Sequence, residues 1–345
     1  MKNIKLGIIN STSLNNTYGG VAPFLKNLDP FLKEEFDVTY ICLPEKFNKI
    51  DFLPKRFIFL CYLITVWIRI NKQDILLSHV PEGSFIVSYS KVPLIHIFHG
   101  NTNPMEGTRF WYGKFFMSTF NFMEKRILRK AKLKFTVGKE FSTVKKILNP
   151  IYHTVRIKSI VCRNGFVYAG RLESIKNIDR IIRVFAMLPA DFRHNNPFYI
   201  AGTGSQLANL KNIVDDLSLN ENVKFVGSLS NIDLIDFVST KMILLMASSF
   251  EGLPMAIAEA LSVGIPVIST DVGDISRVIK NNYNGLLLPK DFCDQDYIDA
   301  ILSILSNYDS FASNAFLSSS IFNAKIISKE LSDEMKLLID VQDNR

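Results

Sequence analysis

Cysteine is scarce. The chain of 345 residues carries four: Cys42, Cys61, Cys162 and Cys293. They are scattered, with no metal-ligand spacing. That excludes a disulfide framework and a zinc module, and it suits a reducing cytosol. Long apolar runs are also lacking. The longest predominantly apolar stretch, Phe57–Ile68 (FIFLCYLITVWI), falls short of the roughly 20 residues a helix needs to cross a bilayer. Met1–Asn10 reads as a strand rather than a charged segment before an apolar core, so no cleavable signal is expected. RNA-binding signatures are missing, as is any stripe of Arg interleaved with aromatics, and nucleic acid is not an expected partner. Disorder is excluded by 48% hydrophobic against 21% charged residues. The length suffices for two domains.

Acidic residues are the minority, 33 against 40 Lys and Arg, for a net charge of +7. The excess is clustered. Lys55, Arg56, Arg69 and Lys72 flank the stretch from Phe57 to Ile70. Lys125, Arg126, Arg129, Lys130, Lys132 and Lys134 crowd a second segment just after Phe110, Trp111, Phe115 and Phe116. Basic plus aromatic residues beside an amphipathic segment fit an anionic membrane surface. A core helix with a solvated basic face is the plain alternative. The expected location is cytoplasmic, peripheral on the inner face of the membrane.

The most informative stretch is MILLMASSFEGLPMAIAEALSVGIPVISTDVGDI, residues 242–275. Met242–Ala247 has the length and composition of a buried parallel strand. A polar turn, Ser248–Gly252, follows, and Pro254 suits a helix start. The helix Met255–Val263 is apolar apart from Glu259 and Ser262, so most of its faces must be covered. Gly264 is a natural helix stop, and Ile265–Thr270 reads as the next strand. Open α/β sheets bind ligands in loops at the carboxyl ends of strands, where Glu251 lies. The first N–H groups of the helix favour an anion such as a phosphate. Glu259 stands out, because burying a carboxylate without partners is costly. Ligand hydroxyls would satisfy it, and so would a structural Arg or an escape to solvent.

The segment FEGLPMAIAEALSVGIPVISTDVG closely resembles the signature of the group 1 glycosyl transferases (family 4 glycosyltransferases): two Glu separated by seven residues inside F-E-G-x-P, E-A and G-x-P-V. The resemblance implies an α/β chain of GT-B type, two Rossmann-like domains with mostly parallel sheets facing a cleft. It also implies a nucleotide-sugar donor held mainly by the second domain, with Glu251 near the transferred sugar and Glu259 on the ribose. Gly252, Leu253, Pro254 and Met255 would complete that donor site.

Other motifs take their places beside it. Phe166–Leu172 reads FVYAGRL and, with Lys176, forms the family's G-R-L-x-x-x-K. A nucleoside diphosphate gains charge as the sugar–phosphate bond breaks, and two fixed cations can neutralise it. Arg171 and Lys176 are the candidates, and neither is expected to matter for folding. Gly202-Thr203-Gly204 is a partial Gly-rich turn in register with the family's G-x-G. Gly19-Gly20, before a helix over Val21–Leu32, matches its N-terminal glycine-rich loop. The strand Pro93–Phe98 ends in His99-Gly100, where the family carries a His near donor sugar and acceptor. His99 is therefore the catalytic candidate and His79 the second choice, while His96 reads as core. Strands over Leu133–Gly138 and Arg156–Cys162 and a helix ending near Leu148 complete the first half.

These readings set domains at 1–162 (acceptor side), 163–323 (nucleotide sugar) and a helix at 324–345 expected to pack back on the first. The activity implied is retaining, metal-independent transfer of a hexosyl group from a nucleotide sugar to a saccharide or lipid-linked acceptor, with no cofactor, in cell-surface polysaccharide or lipid-linked oligosaccharide synthesis. Two departures keep alternatives open. Arg163-Asn164-Gly165 runs straight into the next strand, where the family has a longer linker, and Asp274 and Arg277 replace a Gly and a Glu. A catalytically impaired, glycosyltransferase-like partner subunit fits those departures. A nucleotide-sugar epimerase on the same scaffold is the other alternative.

Overall fold

The computed structural model describes residues 4–12, 21–45, 47, 55–99, 113–137, 143–151 and 163–343. The chain divides into two compact units, Met1–Tyr152 with Ala324–Arg345, and His153–Asn323.

The first unit holds strands β1 (Lys5–Asn10), β2 (Asp37–Cys42), β3 (Ile75–Ser78), β4 (Leu94–Phe98), β5 (Leu133–Thr136) and β6 (Lys145–Lys146). They form one sheet in the order β2-β1-β3-β4-β5-β6, parallel throughout. Its helices are α1 (Val21–Glu35), α2 (Lys55–Thr65), α3 (Trp67–Ile70), α4 (Pro81–Val87) and α5 (Gly113–Lys130). Successive side chains of a strand point to opposite faces. Leu6 and Ile8 of β1 accordingly pack with Phe24, Leu25 and Leu28 of α1. Ile9 faces the other way, in a core with Ile58, Phe59 and Leu63 of α2 and Ile127 of α5. With both faces covered, β4 can be apolar at four of its five positions.

The second unit repeats the plan. Strands β7 (Phe166–Ala169), β8 (Phe198–Ala201), β9 (Val223–Gly227), β10 (Ile243–Leu245), β11 (Val267–Thr270) and β12 (Gly285–Leu288) lie in the order β12-β11-β10-β7-β8-β9, again parallel. The helices are α6 (Ile178–Met187), α7 (Ala190–Asn195), α8 (Leu207–Asp216), α9 (Asn231–Val238), α10 (Met255–Ser262), α11 (Asp294–Ser306) and α12 (Tyr308–Ser318). Strand order reverses between β7 and β10, and a crevice opens at such a switch point at the carboxyl ends of the strands. The last helix, α13 (Ala324–Asp343), returns to the first unit, where Ile327, Leu331 and Met335 join the core under α1.

One local expectation is overturned. A helix was expected to run to about Leu148, but Lys145–Lys146 is an edge strand pairing with Phe135 and Thr136 of β5. The β-branched Thr143, Val144 and Ile147 favour extended backbone, and lysines are common guards of a sheet edge. The expected strand over Arg156–Cys162 lies outside the described residues.

Candidate active site

The loops after β7 and β10 meet at the switch point of the second unit. The first begins with Gly170, Arg171 and Leu172 and closes in one 3-10 turn, Ser174–Lys176. Asn177 follows in the left-handed region, φ 48°. Its side-chain amide donates to the Ala247 carbonyl at 2.8 Å and to Ser249 Oγ at 2.7 Å, and the Ser249 N–H donates to the Ile175 carbonyl at 2.8 Å. These bonds stitch one loop to the other.

The stitching brings together two residues that the sequence separates by 75 positions. Lys176 Nζ donates to Glu251 Oε1 at 2.5 Å, and Ser248 Oγ donates to the same oxygen at 2.8 Å. Both partners are largely buried, with side chains 12% and 8% exposed. An ion pair this dry depends on both members, because losing one strands the other charge. Lys176 therefore carries a structural load that its sequence context did not reveal. Ser248 is fixed in turn, its carbonyl accepting from Thr270 Oγ1 at 2.6 Å.

Arg171 is different. It is exposed, and its guanidinium has no hydrogen-bond or ionic partner among the described residues. Its carbonyl accepts the Tyr168 hydroxyl at 2.9 Å, which fixes the backbone from which the cation projects. Gly202 and Gly204 serve the same turn. A Cβ on Gly202 would lie 1.9 Å from the Gly170 carbonyl oxygen, and one on Gly204 would lie 2.4 Å from that of Leu172. The Leu172 N–H donates to the Thr203 carbonyl at 3.0 Å. Close backbone approach is what these two glycines provide.

Behind Glu251, Gly252 and the buried Leu253 lead to Pro254, which caps α10 with extended backbone, and the helix starts at Met255. The leading N–H groups of a helix have no acceptor within it. One turn on, Glu259 is 4% exposed, and its carboxyl meets no partner among the described residues. Burial pushes its pKa up to about 7. Gly273, at φ 63°, presses the next loop onto this one, since its Cβ would lie 2.1 Å from the Glu251 carbonyl oxygen. The Asp274 N–H donates to the Gly252 carbonyl at 3.1 Å, and the Asp274 carboxylate lies 3.8 Å from Arg277. The departures at 274 and 277 thus pair with each other beside the Glu251 loop.

In the first unit, His99 follows β4 and His79 follows β3. His79 Nδ1 and His99 Nε2 share a hydrogen bond of 2.8 Å, and both rings pack on Phe24. His96, inside β4, is buried against Ser84 Oγ at 2.6 Å. Burial holds His99 down at about 4 and His96 at about 3, and it holds His79 well below the usual imidazole range. All three are neutral at physiological pH. Gly19 and Gly20 lie outside the described residues.

Among the described residues no group of three or more His, Cys, Asp or Glu is gathered as a metal site. The sequence does hold one Asp-x-Asp string, Asp294-Gln295-Asp296. It opens α11, where Asp296 accepts the Cys293 N–H at 2.7 Å as a helix cap. Ser248, Asn177 and Tyr168 were missed, since a Ser, Asn or Tyr beside a strand carries no signal without its contacts.

Two six-stranded parallel sheets, each flanked by helices, are the GT-B architecture of glycosyltransferases. Residues 160–316 match the family of glycosyl transferases group 1, and the chain carries a domain of that family. An uncharacterized glycosyltransferase of Methanocaldococcus jannaschii is 25% identical over 72% of this chain and 68% of its own. A Campylobacter jejuni alpha-1,4-N-acetyl-D-galactosaminyltransferase acting on an undecaprenol-linked saccharide is 28% identical over 49% and 46%. The chain spans about a third of the length of most of the curated relatives it matches. Among solved structures, sucrose-phosphate synthase from Thermosynechococcus elongatus superposes with a TM-score of 0.78 over 98% of this chain and 100% of that one, at 15% identity. Anabaena HepE in complex with UDP gives 0.71 over 96% and 99%, at 14% identity. At such identities the likeness speaks for the fold.

Proposed function

We propose that the chain is a retaining, metal-independent glycosyltransferase that moves a hexosyl group from a nucleotide sugar to an acceptor hydroxyl. The observation that carries this reading is the convergence at the β7/β10 switch point. Among the described residues, an exposed guanidinium without a partner, a buried Lys–Glu pair and a buried carboxyl without a partner meet there beside a helix N-terminus. The Arg171 guanidinium and the two remaining N–H groups of Lys176 would take the diphosphate. In transfer, the bond from the sugar's anomeric carbon to phosphate oxygen breaks, and its electron pair stays on the nucleoside diphosphate. The acceptor oxygen bonds to that carbon from the same face, and its proton passes to the leaving phosphate. Both cations act on charge that grows only as the bond breaks. Glu251 would hold hydroxyls of the transferred sugar, and Glu259 those of the ribose. His99, kept neutral by burial, would serve as an uncharged hydrogen-bonding group for substrate hydroxyls.

UDP sugars are the first donors to try, because HepE and the pneumococcal O-GlcNAc transferase GtfA were solved with UDP. The undecaprenol-linked substrate of the Campylobacter relative makes lipid-linked saccharides the first acceptors. The test is release of nucleoside diphosphate with and without acceptor. Acceptor-dependent release supports the transferase. A sugar product formed without acceptor would point to an epimerase. Donor binding without turnover would favour a partner subunit, the alternative raised by the short linker at Arg163-Asn164-Gly165 and by Arg277.

A further inference from the structure

A cavity of about 420 Å³ opens in the first unit at the amino ends of β4 and β5, the opposite end of β4 from His99. The carboxyl ends of α4 and α5 form it, together with the segments that enter β4 and β5. Four cations line it, Lys91, Arg129, Lys130 and Lys132, with no Asp or Glu among the lining residues. All four are exposed, and none is ion-paired among the described residues. Helix macrodipoles account for part of this charge, because each carboxyl end carries about half a negative charge. Two helix ends therefore balance about one cation of the four. Arg126 and Lys134 are already committed there. Arg126 Nε donates to Ser88 Oγ at 2.7 Å, and Lys134 Nζ donates to the Leu128 and Ala131 carbonyls at 3.2 and 3.1 Å. About three of the four lining cations are therefore surplus to the fold.

An aromatic rim adjoins the cavity. Tyr89 sits between the lining residues Ser88 and Ser90 and is 58% exposed; Phe122 is 59% exposed. Phe85 joins the two, with ring centroids 5.7 Å from Tyr89 and 6.0 Å from Phe122. Arg126 stacks 3.7 Å above the Tyr89 ring. A polar cavity with surplus positive charge fits a phosphate, and exposed aromatics beside it fit the headgroup level of a lipid layer. A freely soluble phosphate would gain nothing from the aromatic rim.

We propose that this cavity seats the phosphate of an anionic phospholipid headgroup and fixes the first unit on a membrane surface. The site is separate from the glycosyl-transfer site and does not depend on that assignment.

The test is flotation of the full chain with phosphatidylcholine vesicles, with and without one-third phosphatidylglycerol, at low and at physiological salt. The wild type should float only with the anionic vesicles, and less at higher salt. Each cation near the surface contributes about fivefold to partition, so Lys130→Gln with Lys132→Gln should cost about thirtyfold. Lys211→Gln with Lys224→Gln, an equal charge change in the second unit, should leave flotation intact. Tyr89→Ser with Phe122→Ser should lower the residual binding at physiological salt. Melting curves check that the exposed substitutions leave the fold in place. Failure of the wild type to float at low salt overturns the proposal, as does equal loss in the two lysine pairs. Saturation by micromolar inorganic phosphate at Lys130 and Lys132, with vesicles ignored, also overturns it and assigns a soluble ligand.

Discussion

Glu259→Gln separates a ligand-binding carboxyl from a structural one. In the folded chain burial raises the Glu259 pKa from 4.5 to about 7. A raised carboxyl pKa means that the folded state binds the proton more tightly than the unfolded one. The stability it contributes is therefore complete below pH 4.5 and is lost as pH rises to about 7. At about 1.4 kcal/mol per tenfold change in proton affinity, the loss at pH 8 is about 3 kcal/mol. Gln resembles the protonated carboxyl and cannot ionise. The variant should thus be more stable than the wild type at pH 8 by up to about 3 kcal/mol, or about 6–12 °C in melting temperature for a unit of this size. At pH 5 the gap should shrink below about 1 kcal/mol. The same variant should raise the donor KM and leave kcat nearly unchanged, since a ribose contact is much the same in ground and transition states. Scanning calorimetry at the two pH values, beside steady-state kinetics, reads both effects. An equal stability gap at pH 5 and pH 8 would refute the burial account. An unchanged donor KM would refute the ribose contact.

The other predictions concern separate groups. Arg171→Ala should slow transfer about a hundredfold or more with an unchanged melting curve; near-wild-type rates would remove it from the site. Lys176→Ala should slow transfer similarly and also destabilise the second unit by about 3–5 kcal/mol, because Glu251 loses its cation inside the protein; thermal unfolding checks this. Glu251→Gln should mainly lower kcat, since contacts to the transferred sugar can strengthen as its bond breaks; a loss confined to donor KM would contradict it. The His79, His96 and His99 cluster makes the first unit sensitive to acid. These groups are neutral when folded and titrate near 6.5 when unfolded, so their contribution is present above pH 6.5 and lost as pH falls toward 4. Both tryptophans, Trp67 and Trp111, belong to that unit, and their fluorescence should show denaturant midpoints falling over that range.

Much of the second unit is legible in the sequence. The pattern of apolar run, polar turn, Pro254, apolar helix and Gly264 matches β10, α10 and the glycine turn to within a residue or two. Each boundary there has a local cause. The site is less legible. Arg171 and Glu259 stand out as a cation and a carboxylate in apolar company, whereas the Lys176–Glu251 bond depends on how two distant loops are stitched. Asn177 does that stitching in a left-handed conformation that no pattern of apolar residues announces. In the first unit, α4 escapes a periodicity reading because its seven residues, PEGSFIV, make fewer than two helical turns and bury Glu82. That burial is made tolerable by Arg56, 2.7 Å away on α2.

Whether the β7/β10 switch point holds a nucleotide sugar is decided by donor binding. The wild type and Glu259→Gln would be titrated by calorimetry with UDP-, GDP-, ADP- and dTDP-sugars in turn. Binding of one nucleotide class by the wild type, weakened in the variant, is the predicted result; a ligand at a hundred times its Kd should also stabilise the chain by about 2.7 kcal/mol. Failure of every nucleotide sugar to bind, or equal affinity in the two proteins, would contradict the assignment of the β7/β10 switch point as a nucleotide-sugar site.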